Sequence, residues 1–235
     1  MSQVIAVILA GGSGSRTGLS KPKQFLEVCG KTVLEHSVDA FHRHPGIDRI
    51  AIVISDEYKS DVEQMGRTNG WTKVTHILQG GKERYDSSLS AVRAFSNDPD
   101  CIMLFHDAAR PLVTQKIISD SIKAMQEYDC IDVAIPSADT IVQCTADGHE
   151  MVSVADRRLL WRMQTPQGFR QRTIQEAYRI ALQDPEFTAT DDCGTVLKYL
   201  HDTKVGIVPG DNNNIKLTYP EDIPLIRFLM QERKD

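Results

Sequence analysis

No apolar run in the chain approaches the roughly twenty residues a membrane helix needs, so no membrane partner is expected. The first strand-like segment begins after three residues, leaving no room for a signal peptide, and the cytoplasm is the expected compartment. Cysteine is sparse: Cys29, Cys101, Cys130, Cys144 and Cys193 are odd in number, scattered, and form no Cys-x-x-Cys pair. That argues against both a disulfide framework and a structural zinc site, and the five are read as reduced thiols that mostly pack. A basic excess is missing as well. The net charge of −5 disfavours nucleic acid as a partner, so any important cations must act locally. Repeats and low-complexity linkers are absent. No Walker-type Gly-x-x-x-x-Gly-Lys-Ser/Thr occurs, and Gly12 to Gly18 overshoots the dinucleotide spacing Gly-x-Gly-x-x-Gly by one residue.

What is present suits a globular fold. The 235 residues are 41% hydrophobic and 25% charged, enough for one domain with a large core. Val4 to Leu9 is an unbroken apolar run ended by glycine, the pattern of a strand buried on both faces. Gly11, Gly12, Gly14 and Gly18 then follow in a loop too glycine-rich to fill a core. Such a backbone approaches a ligand closely and turns successive N–H groups toward an anion. Arg16 and Lys23 add two cations beside it, and the arrangement suits a triphosphate better than a plain βα turn.

Further along, apolar spacing predicts a helix over 32–44, a strand over 49–54, a helix from Ser55 to about Gly70, and a strand over 74–78. A helix over 87–95 and a strand over 101–105 come next, then a strand over 133–136. Helices over 173–182 and 191–200, a strand over 205–208 and a closing helix over 220–232 complete the pattern. Alternation of this kind predicts an α/β fold, a Rossmann-like, mainly parallel sheet covered by helices on both faces. Residues 138–154 break the pattern. They alternate around Asp147-Gly148, a hairpin turn signal, and carry too little core to stand alone, so a second subunit is expected to cover them.

Two segments follow predicted strands directly, where open α/β sheets bind ligands. In Phe105-His106-Asp107-Ala108-Ala109-Arg110-Pro111, Asp107 is placed to help hold Mg²⁺ with substrate phosphates, and Arg110 offers a fork for a phosphate. His106-Asp107 also invites a triad reading, but no Gly-x-Ser-x-Gly nucleophile elbow accompanies it. In Gly80-Gly81-Lys82-Glu83-Arg84-Tyr85-Asp86-Ser87, a helix start offers bare N–H groups to a nucleotide, or a serine simply caps a turn. Asp191-Asp192 reads either as a metal pair or as first-turn caps of the following helix.

Leu9-Ala10-Gly11-Gly12-x-Gly14-x-Arg16, followed by Pro22-Lys23-Gln24-Phe25, resembles the signature of nucleotidyltransferases that activate sugar and polyol phosphates. The Gly-Gly-x-x-Arg-x-x-Ser, His-Asp-Ala-Ala-Arg-Pro, Thr165-Pro166-Gln167 and Asn214-Ile215-Lys216 segments occur in the order of the CTP-dependent polyol-phosphate cytidylyltransferases. One branch of that family uses 2-C-methyl-D-erythritol 4-phosphate and the other ribitol 5-phosphate. The resemblance implies a single nucleotidyltransferase domain over 1–235 with an arm at 138–154, working as a homodimer with shared active sites. It implies Arg16, Lys23 and Lys216 as catalytic, and Leu9, Ala10, Gly11, Gly12, Gly14, Gly81, Lys82, Ser87 and Ala108 as nucleotide-binding. Arg110, Thr140, Arg157 and Thr165 would meet the polyol phosphate, and Asp107 the Mg²⁺. Gly11-Gly12, Asp139-Thr140-Ile141-Val142 and Cys193 lean toward the ribitol branch, while Arg157 to Trp161 and His106 to Ala109 lean toward methylerythritol. Methylerythritol phosphate is the first expectation and ribitol phosphate the second. A non-catalytic nucleotide sensor is a remote third, since the Arg/Lys set is intact.

Overall fold

The computed structural model describes residues 2–12, 22–189 and 191–232. Its centre is β1 (Val4–Leu9), and the side chains of that strand divide cleanly between two cores. Ala6 and Ile8 face the cluster that holds Leu34, Phe41, Ile52 and Leu104. Ile5 and Val7 face the cluster of Val53, Phe105, Phe169 and Tyr178. Strand residues alternate faces, so a fully apolar strand is the sequence a two-sided core demands. Burying each such Val or Ile contributes about 1.5–3 kcal/mol.

Two short strands, β2 (Glu27–Val28) and β3 (Lys31–Thr32), lead into α1 (Val33–Arg43). Thr32 and Glu35 cap α1 reciprocally. The chain continues through β4 (Arg49–Ile54), α2 (Lys59–Asn69), β5 (Val74–Gln79), α3 (Arg84–Ala94), β6 (Ile102–Asp107) and α4 (Gln115–Ala124). Then come β7 (Cys130–Pro136), β8 (Val142–Cys144), β9 (Met151–Val154), β10 (Trp161–Arg170), α5 (Gln171–Ala181), α6 (Asp192–Tyr199), β11 (Val205–Pro209) and α7 (Asp222–Glu232). Seven strands form the main sheet in the order β11-β7-β10-β6-β1-β4-β5. The sheet is parallel as expected, except that β10 runs antiparallel to both β6 and β7.

Strand β10 and helix α4 were not anticipated. Residues 161–170 hold a proline, a glycine and several polar side chains, a composition that reads as loop. Pro166 falls where the pairing to β7 shifts register, between Met163 and Gln167, so it removes no ladder hydrogen bond. The buried Gln164 and Gln167 side chains are tied instead by bonds to Asp211 and Asp132. Helix α3 starts at Arg84, three residues earlier than apolar spacing indicates, because Glu83 and Asp86 form a reciprocal cap.

From β1 the chain passes to β4 and β5 on one side, then returns to place β6 on the other. That reversal opens a crevice outside the C-terminal ends of β1 and β6, where Leu9 and Asp107 are register partners. The segment expected as an arm pairs as a hairpin: Val142 pairs with Val154, and Gly148 takes φ +74° in the turn. Its apolar side chains are left in solvent, with Met151 65% and Val152 61% exposed.

Candidate active site

The crevice is lined by the ends of four segments: Leu9 to Gly12, Gly81 to Arg84 with Ser87, Asp107 to Ala109, and Lys216 with Thr218, with Lys23 and Gln24 between them. Most residues expected at the nucleotide therefore converge. Gly14 and Arg16 lie outside the described residues.

Backbone and side-chain bonds lock these walls together. Ala10 N–H donates to Val53 O at 2.8 Å, and Ala108 N–H to Leu9 O at 3.0 Å. Gln24, given no role of its own within the Pro22-Lys23-Gln24-Phe25 motif, donates from its buried amide to Ala10 O at 2.7 Å and Gly12 O at 3.3 Å. Ser87 Oγ accepts from Gly81 N–H at 3.2 Å. A Cβ at Gly11 would lie 2.9 Å from that same Oγ, so the two loops meet at this distance only with glycine.

The floor is a cluster of charge. Asp107 Oδ2 lies 2.7 Å from Lys216 Nζ and 3.8 Å from Arg110 Nε, while its Oδ1 lies 3.9 Å from Arg84 Nε. Burial alone would raise the Asp107 pKa, but Lys216 and then Arg84 outweigh it and hold the carboxyl well below its ordinary value. It is a carboxylate at any working pH. Arg84 is anchored from behind by Asp192, which is fully buried and also accepts from the Tyr178 hydroxyl. The guanidinium pKa is raised: burial opposes the charge, and Asp192 and Asp107 restore it. Lys23 Nζ donates to Leu217 O at 2.8 Å at the edge of the same crevice.

Some expected residues sit elsewhere. Arg110 points inward, and its fork donates to Asn214 O at 2.7 Å and Met163 O at 3.4 Å instead of opening to the crevice. Thr165 does not line the crevice either: it is buried at 4% exposure, accepts from Asp107 N–H at 3.2 Å and meets His106 Nδ1 at 3.0 Å. His106 Nε2 lies 3.1 Å from Arg110 O, a carbonyl that only accepts. The ring is therefore protonated on Nε2, and the threonine hydroxyl donates to Nδ1. Burial pushes the His106 pKa down to about 4, so the ring is neutral and structural. Thr140 and Arg157 are exposed at the two ends of the arm, away from the crevice of their own chain, and Arg157 donates to Ala138 O at 3.3 Å. Asp191 caps α6 by accepting from Gly194 N–H at 2.7 Å, whereas Asp192 belongs to the buried ion pair.

Among the described residues no three His, Cys, Asp or Glu side chains cluster as a metal cage. Asp107, an ionised carboxylate on the crevice wall, suits a Mg²⁺ carried in largely by phosphate oxygens, and the residues fit that use.

A switch-point crevice with a glycine-rich wall and two lysines in its lining is an α/β nucleotidyltransferase-type site. A family model described as "IspD: 2-C-methyl-D-erythritol 4-phosphate cytidylyltransferase" matches residues 4–232, and the chain belongs to that family. It is 43% identical over 233 residues to the 2-C-methyl-D-erythritol 4-phosphate cytidylyltransferase of Thermobifida fusca, covering 97% of this chain and 94% of that protein. It is also 43% identical over 230 residues to the bifunctional ribulose 5-phosphate reductase/CDP-ribitol pyrophosphorylase Bcs1 of Haemophilus influenzae, covering 97% of this chain but 48% of that protein. The crystal structure of 4-diphosphocytidyl-2C-methyl-D-erythritol synthase from Anaerococcus prevotii superposes with a TM-score of 0.87 at 26% identity, covering 98% of this chain and 97% of that one.

Proposed function

We propose that the protein transfers CMP from CTP to 2-C-methyl-D-erythritol 4-phosphate, releasing pyrophosphate. The observation that carries this reading is the crevice: the Gly11-Gly12 wall, Lys23 and Lys216 line one pocket in a chain of this family. Residues 1–235 act as one nucleotidyltransferase domain, working in the cytoplasm. No helix among the described residues is long and apolar enough to cross a membrane.

In the reaction a phosphate oxygen of the polyol phosphate forms a bond to the α-phosphorus of CTP, and the bond from that phosphorus to the bridging oxygen of pyrophosphate breaks. The attacking oxygen is already anionic near neutral pH, so neither a general base nor a covalent enzyme intermediate is required. Catalysis then rests on positioning and on matching charge. Lys23 and Arg16 hold the triphosphate, and Lys216 meets charge growing at the α-phosphate. Backbone groups of Gly81 and Lys82, with Ser87, read the cytosine. Asp107 would hold Mg²⁺, which, when bound with the triphosphate, neutralises charge on it. Arg157 and Thr140 orient the polyol phosphate from the arm of a second subunit. Arg110 stands behind Asp107, and Thr165 fixes the turn after β6. The exposed apolar arm supports a C₂ dimer in which each arm covers its partner.

Ribitol 5-phosphate is the second reading, favoured by the Haemophilus relative whose name includes CDP-ribitol pyrophosphorylase. A competition assay tests both substrates. Pyrophosphate release should require the polyol phosphate, and CDP-methylerythritol should dominate over CDP-ribitol when the two acceptors are mixed. CTP should outcompete UTP, because a site that satisfies the 4-amino edge penalises its loss. Dominant CDP-ribitol would move the protein to the other branch, and equal use of UTP would remove the cytidine assignment.

A further inference from the structure

Arg84 lines the crevice, yet its strongest bond faces away from it. Its Nη1 donates to Asp192, a carboxylate with no solvent exposure, which also accepts from the Tyr178 hydroxyl. Nη2 lies 3.5 Å from Gln167 Oε1. A carboxylate buried to that degree needs a permanent cation, so Arg84 is not available to leave it. With the rear of the guanidinium fixed, its Nε stands 3.9 Å from Asp107. Arg110, the second neighbour of Asp107, is fixed in the same manner by two carbonyl oxygens.

Lys216 differs from both. Its side chain is 40% exposed, against 28% for Arg84 and 12% for Arg110, and its unbranched stem reaches the crevice from the segment before α7. It lies closest to Asp107, at 2.7 Å, and so the lysine proposed to meet the α-phosphate is engaged elsewhere before substrate arrives. Moving it to the triphosphate strips one counter-ion from a nearly buried carboxylate. That exchange is easy only if another cation stays behind.

We infer that Arg84, held by Asp192, is a positioning residue: with Arg110 it is a standing counter-ion of Asp107, and its charge helps Lys216 transfer from Asp107 to the triphosphate. This rests on the nucleotide reading of the crevice. Without Arg84, Asp107 retains Lys216 more tightly, and triphosphate binding weakens although every group that touches the nucleotide is intact.

The test is a double-mutant cycle read by calorimetric binding of CTP with a metal chelator present. Arg84→Gln paired with Asp192→Asn removes both buried charges together, so no unpaired carboxylate is left behind. In the wild-type background this pair should weaken CTP binding about tenfold, whereas with Asp107→Asn also present the further loss should stay under about twofold. Lys216→Met provides a second background with the same expectation, and Arg84→Gln alone is the second form should the pair not fold. Equal loss in all backgrounds means that Arg84 touches the nucleotide or merely supports the fold, and overturns the inference. An unchanged affinity in the wild-type background overturns it too. If the unmutated protein fails to bind CTP with Mg²⁺ supplied as well, the nucleotide reading is what falls.

Discussion

The floor of the crevice buries charge, whereas the arm leaves apolar side chains in water. Arg84, Asp107 and Asp192 come from widely separated points of the chain, with Arg110 three residues beyond Asp107, and each finds its counter-charge within it. The arm does the reverse: Met151, Val152 and Val154 are all more than half exposed, as is Leu159 just after it, and among the described residues β8 pairs only with β9. A region that satisfies itself is specified inside one chain, and its role is read from its geometry. A region that does not is half of something, and its role is read from what it is missing.

The largest effects should come from the cations expected at the triphosphate. Lys23→Ala, Lys216→Ala and Arg16→Ala should each lower turnover by about two orders of magnitude or more, the scale of one preorganised charge contact, with far-UV circular dichroism unchanged. Turnover near wild type in any of the three would break the comparison on its catalytic side. On the arm, Met151→Ser with Val152→Ser should leave melting of the fold almost untouched and weaken dimerisation by about tenfold or more, as expected for exposing two apolar side chains. Sedimentation velocity across a dilution series measures it, and an unchanged distribution would show that the arm covers nothing.

The smallest effect sharpens the floor's dependence on paired charge. Asp132 is buried on β7 with Oδ2 unpartnered, and burial pushes its pKa up to about 7. The folded state thus keeps a proton that the unfolded chain releases near pH 4, so stability falls as pH rises from there and the loss is complete above about pH 7. Asp132→Asn carries no such proton. It should flatten this fall and raise the melting temperature by a few degrees at pH 8, with little change at pH 5. An equal shift at both values would assign the effect to packing.

Much of this was legible in the sequence, and the reasons are specific. β1 and β4 announce themselves because a strand buried on both faces must be apolar throughout. The arm is readable from Asp147-Gly148 because a tight turn needs a residue that tolerates positive φ. β10 was hidden because its buried glutamines satisfy their amides through partners 24 to 47 residues away, which no local pattern records. Arg84 was hidden for the same reason: its partner Asp192 is 108 positions distant, so the sequence shows a cation near a helix start and not the ion pair that fixes it. Thr165 stood out by its motif, but its motif did not say that it lies under the floor.

The two regions meet in one claim, that Lys23 of one chain and Arg157 of another serve the same active site. Lys23→Ala subunits and Arg157→Ala subunits, each inactive alone, are mixed under conditions of proven subunit exchange, and pyrophosphate release is followed. Each heterodimer then holds one site with both native residues, and activity should return toward a quarter of the wild-type rate, since about half of the dimers are mixed and half their sites are complete. No recovery, or a monomer at assay concentration, would contradict the shared site.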